Sequence, residues 1–330
     1  MKLKVRNFAK ILKADIEVDG ITIIAGNNNI GKSTVGKILD AVFNATYHID
    51  EKMNQARIAS LASMLRSEVE RNRDKINLRV RHYSSAVYHE FAKTLLECEK
   101  EDREDICREY ERQMIPASRQ ESNFVEKILK HLEDNEQISD KIFSQAIYTD
   151  YFSESFHEEI NSLYYPDKPA EIILSIKGKE IQLAFKGNEC VQEDRQLDIF
   201  NSSLYIDDPF VLDEMNNNRT FGISELSIHK RNVLKKLMQK EDKSVEERTF
   251  SNLLVENKLE DIMQIIDCVA AGKIIKRQKY KYQFADDSSK AIDVASLSTG
   301  LKAFLILKQI LLNGNLQDKD VIVLDEPEIH

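Results

Sequence analysis

The chain has 330 residues, which is enough for two domains or for one domain with a large insertion. It contains no apolar stretch approaching the length of a membrane-spanning helix, so we expect no membrane partner. Its formal net charge of −9 argues against attraction to nucleic acid over the whole surface, but a local basic patch remains open.

The cysteines and the N-terminal residues indicate a cytoplasmic protein. Residues 1–8 alternate charged and apolar side chains and lack the apolar run of a signal peptide. Four cysteines are scattered without metal or redox spacing, as is typical of reduced thiols: Cys98, Cys107, Cys190 and Cys268.

The first 46 residues predict strands followed by a helix. Leu3 and Val5 alternate with charged residues as in a strand, and residues 11–18 predict a second strand. The short apolar run 21–25 is typical of a buried parallel strand. Beyond residue 31, apolar side chains recur at helical spacing: Val35, Ile38, Leu39, Val42 and Phe43.

The middle of the chain predicts a large insertion. Residues 50–165 are charged and helical, and we expect a packed arm there because the apolar seam is too irregular for a sustained coiled coil. The helical spacing is clearest at Ile58, Leu61, Leu65 and Val69 and at Val125, Ile128, Leu129 and Leu132. Residues 166–271 continue the insertion with a hairpin over 171–186, a strand over 201–207 and helices over 223–241 and 246–271. The apolar faces of these two helices carry Val233, Leu234 and Leu237, and Leu259, Ile262 and Ile266.

The segments 1–49 and 272–330 are expected to form one nucleotide-binding domain around this insertion. Residues 273–294 predict strands, 300–313 a helix, and 320–325 a final strand.

Residues 26–34 match the phosphate-binding loop, G-x-x-x-x-G-K-S/T. In this motif the glycines let backbone N–H groups close around phosphates, the lysine (Lys32) reaches the β- and γ-phosphates, and the serine (Ser33) ligates Mg²⁺. A predicted strand before the loop and a predicted helix after it supply the context that the motif requires. The alternative is a glycine–asparagine turn that only resembles the motif. We expect bound ATP and Mg²⁺.

A second segment predicts the other half of a nucleoside-triphosphate site. The apolar strand 320–325 ends in Asp325, followed by Glu326 and Pro327. A magnesium-holding aspartate and a water-orienting glutamate belong at such a position.

A third motif lies between these two. Leu297, Ser298, Thr299 and Gly300 directly precede an apolar helix, and that helix precedes the strand with the acidic pair. Alone, this sequence would be an ordinary helix cap. In this order the three motifs resemble those of the ABC-class ATPases, whose L-S-G-G-x signature binds the γ-phosphate held by another subunit.

The phosphate-binding loop, with Asn28 and Asn29, and the sequence D-E-P-E-I-H at 325–330 resemble the overcoming-lysogenisation-defect (OLD) group. This group is related to the SMC and RecF-type ATPases. The resemblance covers about residues 1–46 and 290–330 and implies an α/β fold, an ABC-type P-loop domain with a large, mainly helical insertion and additional antiparallel strands.

The resemblance also implies a role for each motif residue. Lys32 neutralises the phosphates, Ser33 and Asp325 hold Mg²⁺, and Glu326 polarises the attacking water. The amides of Asn28, Asn29, Ile30 and Gly31 cradle the phosphates, Thr34 contacts the α-phosphate, and Ser298 and Gly300 act on the partner's nucleotide.

Three departures from the family pattern stand out. Thr299 and Leu301 replace the commonest signature residues. The glutamine that senses Mg²⁺ has only weak candidates, Gln55 and Gln145. The family's switch histidine and closing strands would follow His330, so we expect either further sequence or a second chain to complete the ATPase.

The function predicted from these motifs is an ATP-gated switch. We expect a homodimer or higher oligomer with ATP between protomers, controlling a nuclease effector in cis beyond His330 or in trans, in antiphage defence or DNA repair. A non-hydrolysing ATP-binding scaffold is the alternative. A transporter subunit is disfavoured because Ser33 and Ser298 are much further apart than in such subunits.

Other clusters favour structural interpretations. Arg277, Lys279 and Lys281 would lie on one face of a strand, where either DNA or RNA contact or simple solvation remains open. The basic cluster 229–240 is interpreted as a solvated helix face, Asp207-Asp208 and Asp213-Glu214 as strand-end and turn carboxylates, and the aromatic residues of 148–156 as core.

Overall fold

The computed structural model describes residues 1–74, 83–115, 123–217, 226–238, 250–314 and 321–326, with no account of the side chains of 72–74 and 250–259. The fold is mixed α/β. The chain divides into two compact units, one made of Met1–Tyr47 with Tyr148–His330 and the other of His48–Ile147.

An antiparallel five-stranded sheet forms part of the first unit, with the order β2-β1-β3-β4-β5. Its strands are β1 Lys2–Phe8, β2 Ile11–Glu17, β3 Ala170–Ile176, β4 Lys179–Lys186 and β5 Glu189–Arg195. The predicted hairpin is confirmed, and Lys177 and Gly178 at its turn both have positive φ, 51° and 83°, as a tight hairpin turn requires. Since β3 pairs with β1, the strands that were expected to continue the insertion share a sheet with the N-terminal strands.

The predicted helix after the glycine-rich segment is confirmed as α1, Lys32–Thr46. It packs on a parallel pair of strands, β6 Ser203–Ile206 and β10 Val321–Leu324. A Cβ on Gly36 would lie 2.9 Å from Val323 Cγ1 and 3.0 Å from Tyr205 Cε2, so the close approach of helix and strands requires glycine there. Further along α1, the Asn44 side chain donates to Ser203 O at 3.0 Å and accepts from Ser203 N at 3.0 Å, which fixes the helix to the start of β6.

The remaining elements of this unit surround a second apolar core. They are a 3₁₀ segment Pro209–Asn216, α7 Ile228–Met238, α8 Phe250–Val269, the antiparallel strands β7 Lys273–Lys276, β8 Tyr280–Gln283 and β9 Ala291–Asp293, and α9 Thr299–Leu312. Two buried lysines of α9 neutralise polar groups in this core. Lys302 pairs with Asp213 at 2.7 Å, and Lys308 donates to Ala270 O and Gly272 O, both at 2.6 Å.

The second unit is helical, as predicted. It contains α2 Ile49–Asp74, α3 Ser85–Glu97, α4 Arg103–Met114, α5 Phe124–Gln137 and the first part of α6 Asp140–Phe156. Its core includes the predicted Ile58, Leu61, Leu65 and Val69, together with Phe91 and Tyr110, whose rings stack at 3.6 Å. The later part of α6 belongs to the first unit, where Tyr148 and Phe152 are fully buried, as the core interpretation required.

Two sequence predictions are wrong. Residues 21–25 do not form a strand, and Ile21 and Ile23 are 94% and 85% exposed. No described backbone pairs with this segment, and an apolar run without a ladder partner does not make a strand. On α8, Ile266 is buried but Ile262 is 46% exposed and does not belong to the buried face; the side chain of Leu259 lies outside the described residues.

Among the described residues, no helix combines the length and the apolar character needed to cross a bilayer.

The contact at Gly36 predicts that replacing this helical glycine with alanine lowers the free energy of unfolding, the reverse of the usual effect. In an exposed helix Gly→Ala stabilises by about 1 kcal/mol, whereas Gly36→Ala should destabilise by about 1–3 kcal/mol because its Cβ overlaps Val323 and Tyr205. Urea unfolding measures the difference. A stabilised Gly36→Ala variant would contradict the close approach of α1 to the strands.

Candidate functional site

The glycine-rich segment ends at the N-terminus of α1. Gly31 precedes the helix with φ 97°, and a Cβ there would lie 3.0 Å from Ile11 Cγ1. The first helical bond runs from Val35 N to Gly31 O at 3.1 Å. The N–H groups of the first turn before Val35 have no intrahelical acceptor, and together with the helix dipole they favour an anion at this end.

Two lysines hold the segment in place. Lys32 Nζ donates to Gly26 O at 2.8 Å and to Asn27 O at 3.0 Å. Lys10, in the turn between β1 and β2, donates to Asn29 Oδ1 at 2.7 Å. The ammonium group of Lys32 therefore lies across the mouth of its own loop.

A cavity of about 270 Å³ lies against this loop. Six of the residues predicted from the motifs line it: Asn29, Gly31, Lys32, Ser33, Thr34 and Glu326. The rest of the wall comes from Ala9 and Lys10 and from Phe156, Glu159, Asn161 and Leu163. The structure thus brings together the glycine-rich loop and the glutamate of the acidic pair, which lie at opposite ends of the chain. Asn28, Ile30, Asp325, Ser298 and Gly300 do not line the cavity.

Asp325 follows β10 and is fixed through β6. Its N–H donates to Ile206 O at 3.0 Å, and its Oδ2 accepts a hydrogen bond from the Tyr205 hydroxyl at 2.5 Å. Burial, and then the hydrogen bond to the carboxylate, raise the pKa of Tyr205, so that its hydroxyl remains a donor.

A further carboxylate, Asp207, lies at the same edge. Parallel pairing places the ends of β6 and β10 together, with Ile206 opposite Leu324. Asp207 Oδ2 is 2.9 Å from Nε2 of the buried His229. Burial alone would raise the pKa of Asp207, but the hydrogen bond and charge of His229, with Lys230 and Lys37, hold it below its usual value.

The His229 contacts do not form a catalytic triad. Ser227 Oγ lies 3.1 Å from the same Nε2 atom that Asp207 contacts, whereas a relay would use both ring nitrogens. Lys230 pairs with Asp208 at 2.7 Å, and Arg231 pairs with Glu154. The interpretation of these basic residues as a solvated helix face is therefore wrong for His229, Lys230 and Arg231, because they neutralise carboxylates on neighbouring elements.

Asp40 lies on the buried side of α1, one turn after Gly36. Burial raises its pKa to about 6, opposed by the nearby Ser203 hydroxyl and by a hydrogen bond from Asn44. The charges of Asp207 and His229 also reach this carboxyl group. The edge of the parallel pair and the underside of α1 therefore form one connected electrostatic cluster.

The third motif lies at the start of α9. Ser298 is exposed at the N-cap, and its side chain makes no capping hydrogen bond; Gly300 is half-buried in the first turn. The serine hydroxyl is thus not used by its own helix. Gln55 and Gln145 lie on α2 and α6 in the other compact unit, and neither lines the cavity.

The residues that fit a magnesium ion are few. The described residues contain no group of three or more His, Cys, Asp or Glu side chains that could hold a metal. Mg²⁺ bound to nucleotides uses only one or two protein oxygens, with phosphate and water completing the octahedron. Ser33 lines the cavity and Asp325 immediately precedes the lining residue Glu326, so these two residues would supply such oxygens if the ion were bound. The N–H groups at the start of α1 would suit the accompanying phosphates.

The sequence interpretation missed Tyr205 and His229. A signal for them exists, since both parallel strands end in an apolar residue, two acids and a proline: Ile206-Asp207-Asp208-Pro209 and Leu324-Asp325-Glu326-Pro327. Two such strand ends predict neighbouring carboxylates, and two neighbouring carboxylates require partners.

Comparisons with known proteins add no family to these observations. Neither protein-family models, nor curated proteins, nor solved structures gave a match. The chemistry of the site therefore rests on the residues of this chain.

The buried Asp40 predicts a defined pH dependence. Its pKa is higher in the folded chain than in the unfolded chain, so its favourable contribution is present below pH 4 and is lost as the pH rises through about 6. Asp40→Asn should therefore stabilise the protein at pH 7.5 by on the order of 2–3 kcal/mol, and much less at pH 4.5. Urea unfolding at both pH values tests this. The exposed Asp194→Asn is the control, and an equal effect of Asp40→Asn at both pH values would contradict the assignment.

Proposed function

We propose that this chain is a nucleotide-binding protein of the ABC class, which binds ATP and Mg²⁺ in the cavity beside the start of α1. One observation carries the proposal: the glycine-rich loop and Glu326, two motifs from opposite ends of the sequence, line the same cavity. A chance resemblance of either motif gives no reason for them to meet.

Phosphate binding follows from the geometry of α1. The N–H groups of its first turn and the ammonium group of Lys32 receive the phosphate oxygens, and Lys32 exchanges its bonds to Gly26 O and Asn27 O for bonds to phosphate. The cavity is slightly smaller than the usual ligand pocket of roughly 300–1,000 Å³. It therefore suits the triphosphate, with the nucleoside at its mouth.

Ser33 and Asp325 would hold Mg²⁺, which neutralises charge on the β- and γ-phosphates. Glu326 lies on the cavity wall, where its carboxylate orients a water molecule and accepts its proton during hydrolysis.

The position of the third motif fits a model in which a second copy of the chain takes part in ATP hydrolysis. Ser298 and Gly300 do not line the cavity of their own chain, and the exposed Ser298 hydroxyl is free of its helix. They would act on ATP held by another protomer, in a homodimer or higher oligomer. The alternative function is a non-hydrolysing ATP-binding scaffold, in which assembly does not lead to turnover.

The resemblance to the OLD group extends the proposal to a cellular role. The ATP-dependent dimer would control a nucleic-acid-directed effector in antiphage defence or DNA repair. Comparing ATP affinity with turnover across protein concentrations separates the switch from the scaffold, since turnover per chain rises with concentration only for the switch.

A basic surface on the β7–β8 hairpin supports direct nucleic-acid contact. Its members are Lys273, Lys276, Arg277, Lys279 and Lys281. None of them pairs with a carboxylate among the described residues, in a protein whose net charge is −9. Lys273 and Lys281 lie on the face of the hairpin opposite to Tyr282, which is buried in the core and gives the hairpin a fixed support. Lys276 shares the Tyr282 face, with its ammonium group over the Tyr280 ring.

Substitution of the two motif residues tests nucleotide binding. Lys32→Ala should weaken ATP binding at least about tenfold, because a charge-assisted bond is lost. Glu326→Gln should retain binding, lose turnover by about 10²–10⁴-fold and accumulate the ATP-bound dimer. Calorimetry and light scattering measure these effects, with the exposed Lys4→Ala and Glu189→Gln as controls. Wild-type affinity in Lys32→Ala would reject the proposed site.

A charge reversal tests the basic surface. Lys279→Glu should weaken binding of single- or double-stranded DNA uniformly across sequences and reduce the slope of log affinity against log salt by about 1. Lys290→Glu makes the same change outside the hairpin, at a lysine paired with Asp287, and should have little effect. Equal losses in both variants would point to general charge repulsion instead of contact at the hairpin.

A further inference from the structure

Tyr205 occupies a position that none of the three motifs includes. It lies in the middle of β6, is 1% exposed, and pairs in register with Val323 of β10. Alternate residues of a strand share a face, so Tyr205, Val323 and Asp325 face the same side of the parallel pair. The tyrosine hydroxyl donates to Asp325 Oδ2 on this side.

The ring of Tyr205 is fixed by its neighbours. Gly36 of α1 approaches its Cε2 and Cδ2 atoms, and the His229 ring contacts it edge-on at a centroid distance of 5.1 Å. Lys37 Nζ lies 5.8 Å from the ring centroid. A phenol held in this way can present its hydroxyl in one direction only, because a swing of the side chain about its Cα–Cβ bond would move the ring into its neighbours.

The hydrogen bond restricts Asp325 and leaves one oxygen available. Oδ2 accepts from Tyr205, whereas Oδ1 accepts no hydrogen bond from the described residues. Without the hydroxyl, the Asp325 side chain would rotate about its terminal torsion, which is intrinsically broad for a carboxylate. A metal ligand that must first be ordered binds its metal more weakly.

We propose that Tyr205 is a positioning residue, which orients the Asp325 carboxylate for the Mg²⁺ that accompanies the bound nucleotide. This inference rests on the proposed function and assigns a role to a residue outside the three motifs. Tyr205 does not line the cavity proposed for the phosphates. Its removal therefore weakens the response to Mg²⁺ and leaves metal-free nucleotide binding, through Lys32 and the start of α1, unchanged.

The test is Tyr205→Phe in the full chain, which removes the hydroxyl and keeps the ring against Gly36. Binding of a fluorescent ATP analogue is titrated with Mg²⁺ and, separately, in excess EDTA. We expect the Mg²⁺ midpoint to rise roughly three- to tenfold, as for the loss of one ordinary hydrogen bond, while affinity in EDTA stays within twofold.

Tyr148→Phe is the matched control. It also removes a buried tyrosine hydroxyl in the same compact unit, where Tyr148 bonds to Thr46 Oγ1 at 2.8 Å near the end of α1. Its Mg²⁺ midpoint should equal that of the wild type, even if thermal stability falls as much as in Tyr205→Phe. A general loosening of the fold would instead shift both variants.

A double-mutant cycle with Asp325→Ala completes the test. If Tyr205 acts only through Asp325, adding Tyr205→Phe to Asp325→Ala should change the Mg²⁺ midpoint by less than twofold. A Tyr205→Phe midpoint within twofold of the wild type, or an additive effect in the double mutant, overturns the positioning role. Wild-type protein that binds no nucleotide, or binding unaffected by Lys32→Ala, overturns the proposed function itself, so the two failures are distinguishable.

Discussion

The close approach of α1 to the parallel strands at Gly36 determines where the start of the helix lies. The contact is little more than one turn beyond Gly31, so it sets the distance between the glycine-rich loop and the ends of β6 and β10. The two bonds between Asn44 and the Ser203 backbone prevent α1 from rotating about that contact. The packing of α1 on β6 and β10 thus sets the position of the loop relative to Asp325 and Glu326. The loop itself contributes the N–H groups.

Packing the two strands in parallel has an electrostatic cost, because it brings their terminal carboxylates together. Three carboxyl groups at this edge or beneath it each have a hydrogen-bond partner: His229 for Asp207, Tyr205 for Asp325, and Asn44 for Asp40. Lys37 contributes positive charge from α1. Without these partners, the edge would repel a triphosphate in a chain that is already acidic. The positive charges of Lys37 and Lys230 near Asp207 reduce the negative potential at this edge and make the site more compatible with an anion.

Local patterns predicted the elements whose partners lie nearby in sequence or whose apolar faces are long. The hairpin at 171–186, the helix after Gly31 and the helical second unit belong to this class. Residues 21–25 have an equally apolar sequence but no pairing partner among the described residues, and apolar character alone does not decide that outcome. The contact between Tyr205 and Asp325 depends on pairing between strands that are 120 positions apart, and periodicity carries no information about such register.

The segment that follows β6 connects the strand ends near the cavity to the third motif. Asp208 caps the 3₁₀ segment Pro209–Asn216 by accepting from Phe210 N, and Asp213 within that segment pairs with Lys302 on α9. Lys302 is fully buried, so breaking this pair would leave a charge without solvent, at a cost of about 3–5 kcal/mol. The start of α9, with Ser298 and Gly300, is consequently held by the segment that begins at the edge where Asp207 and Asp325 meet. That buried pair therefore links the position of the third motif to the segment that follows β6.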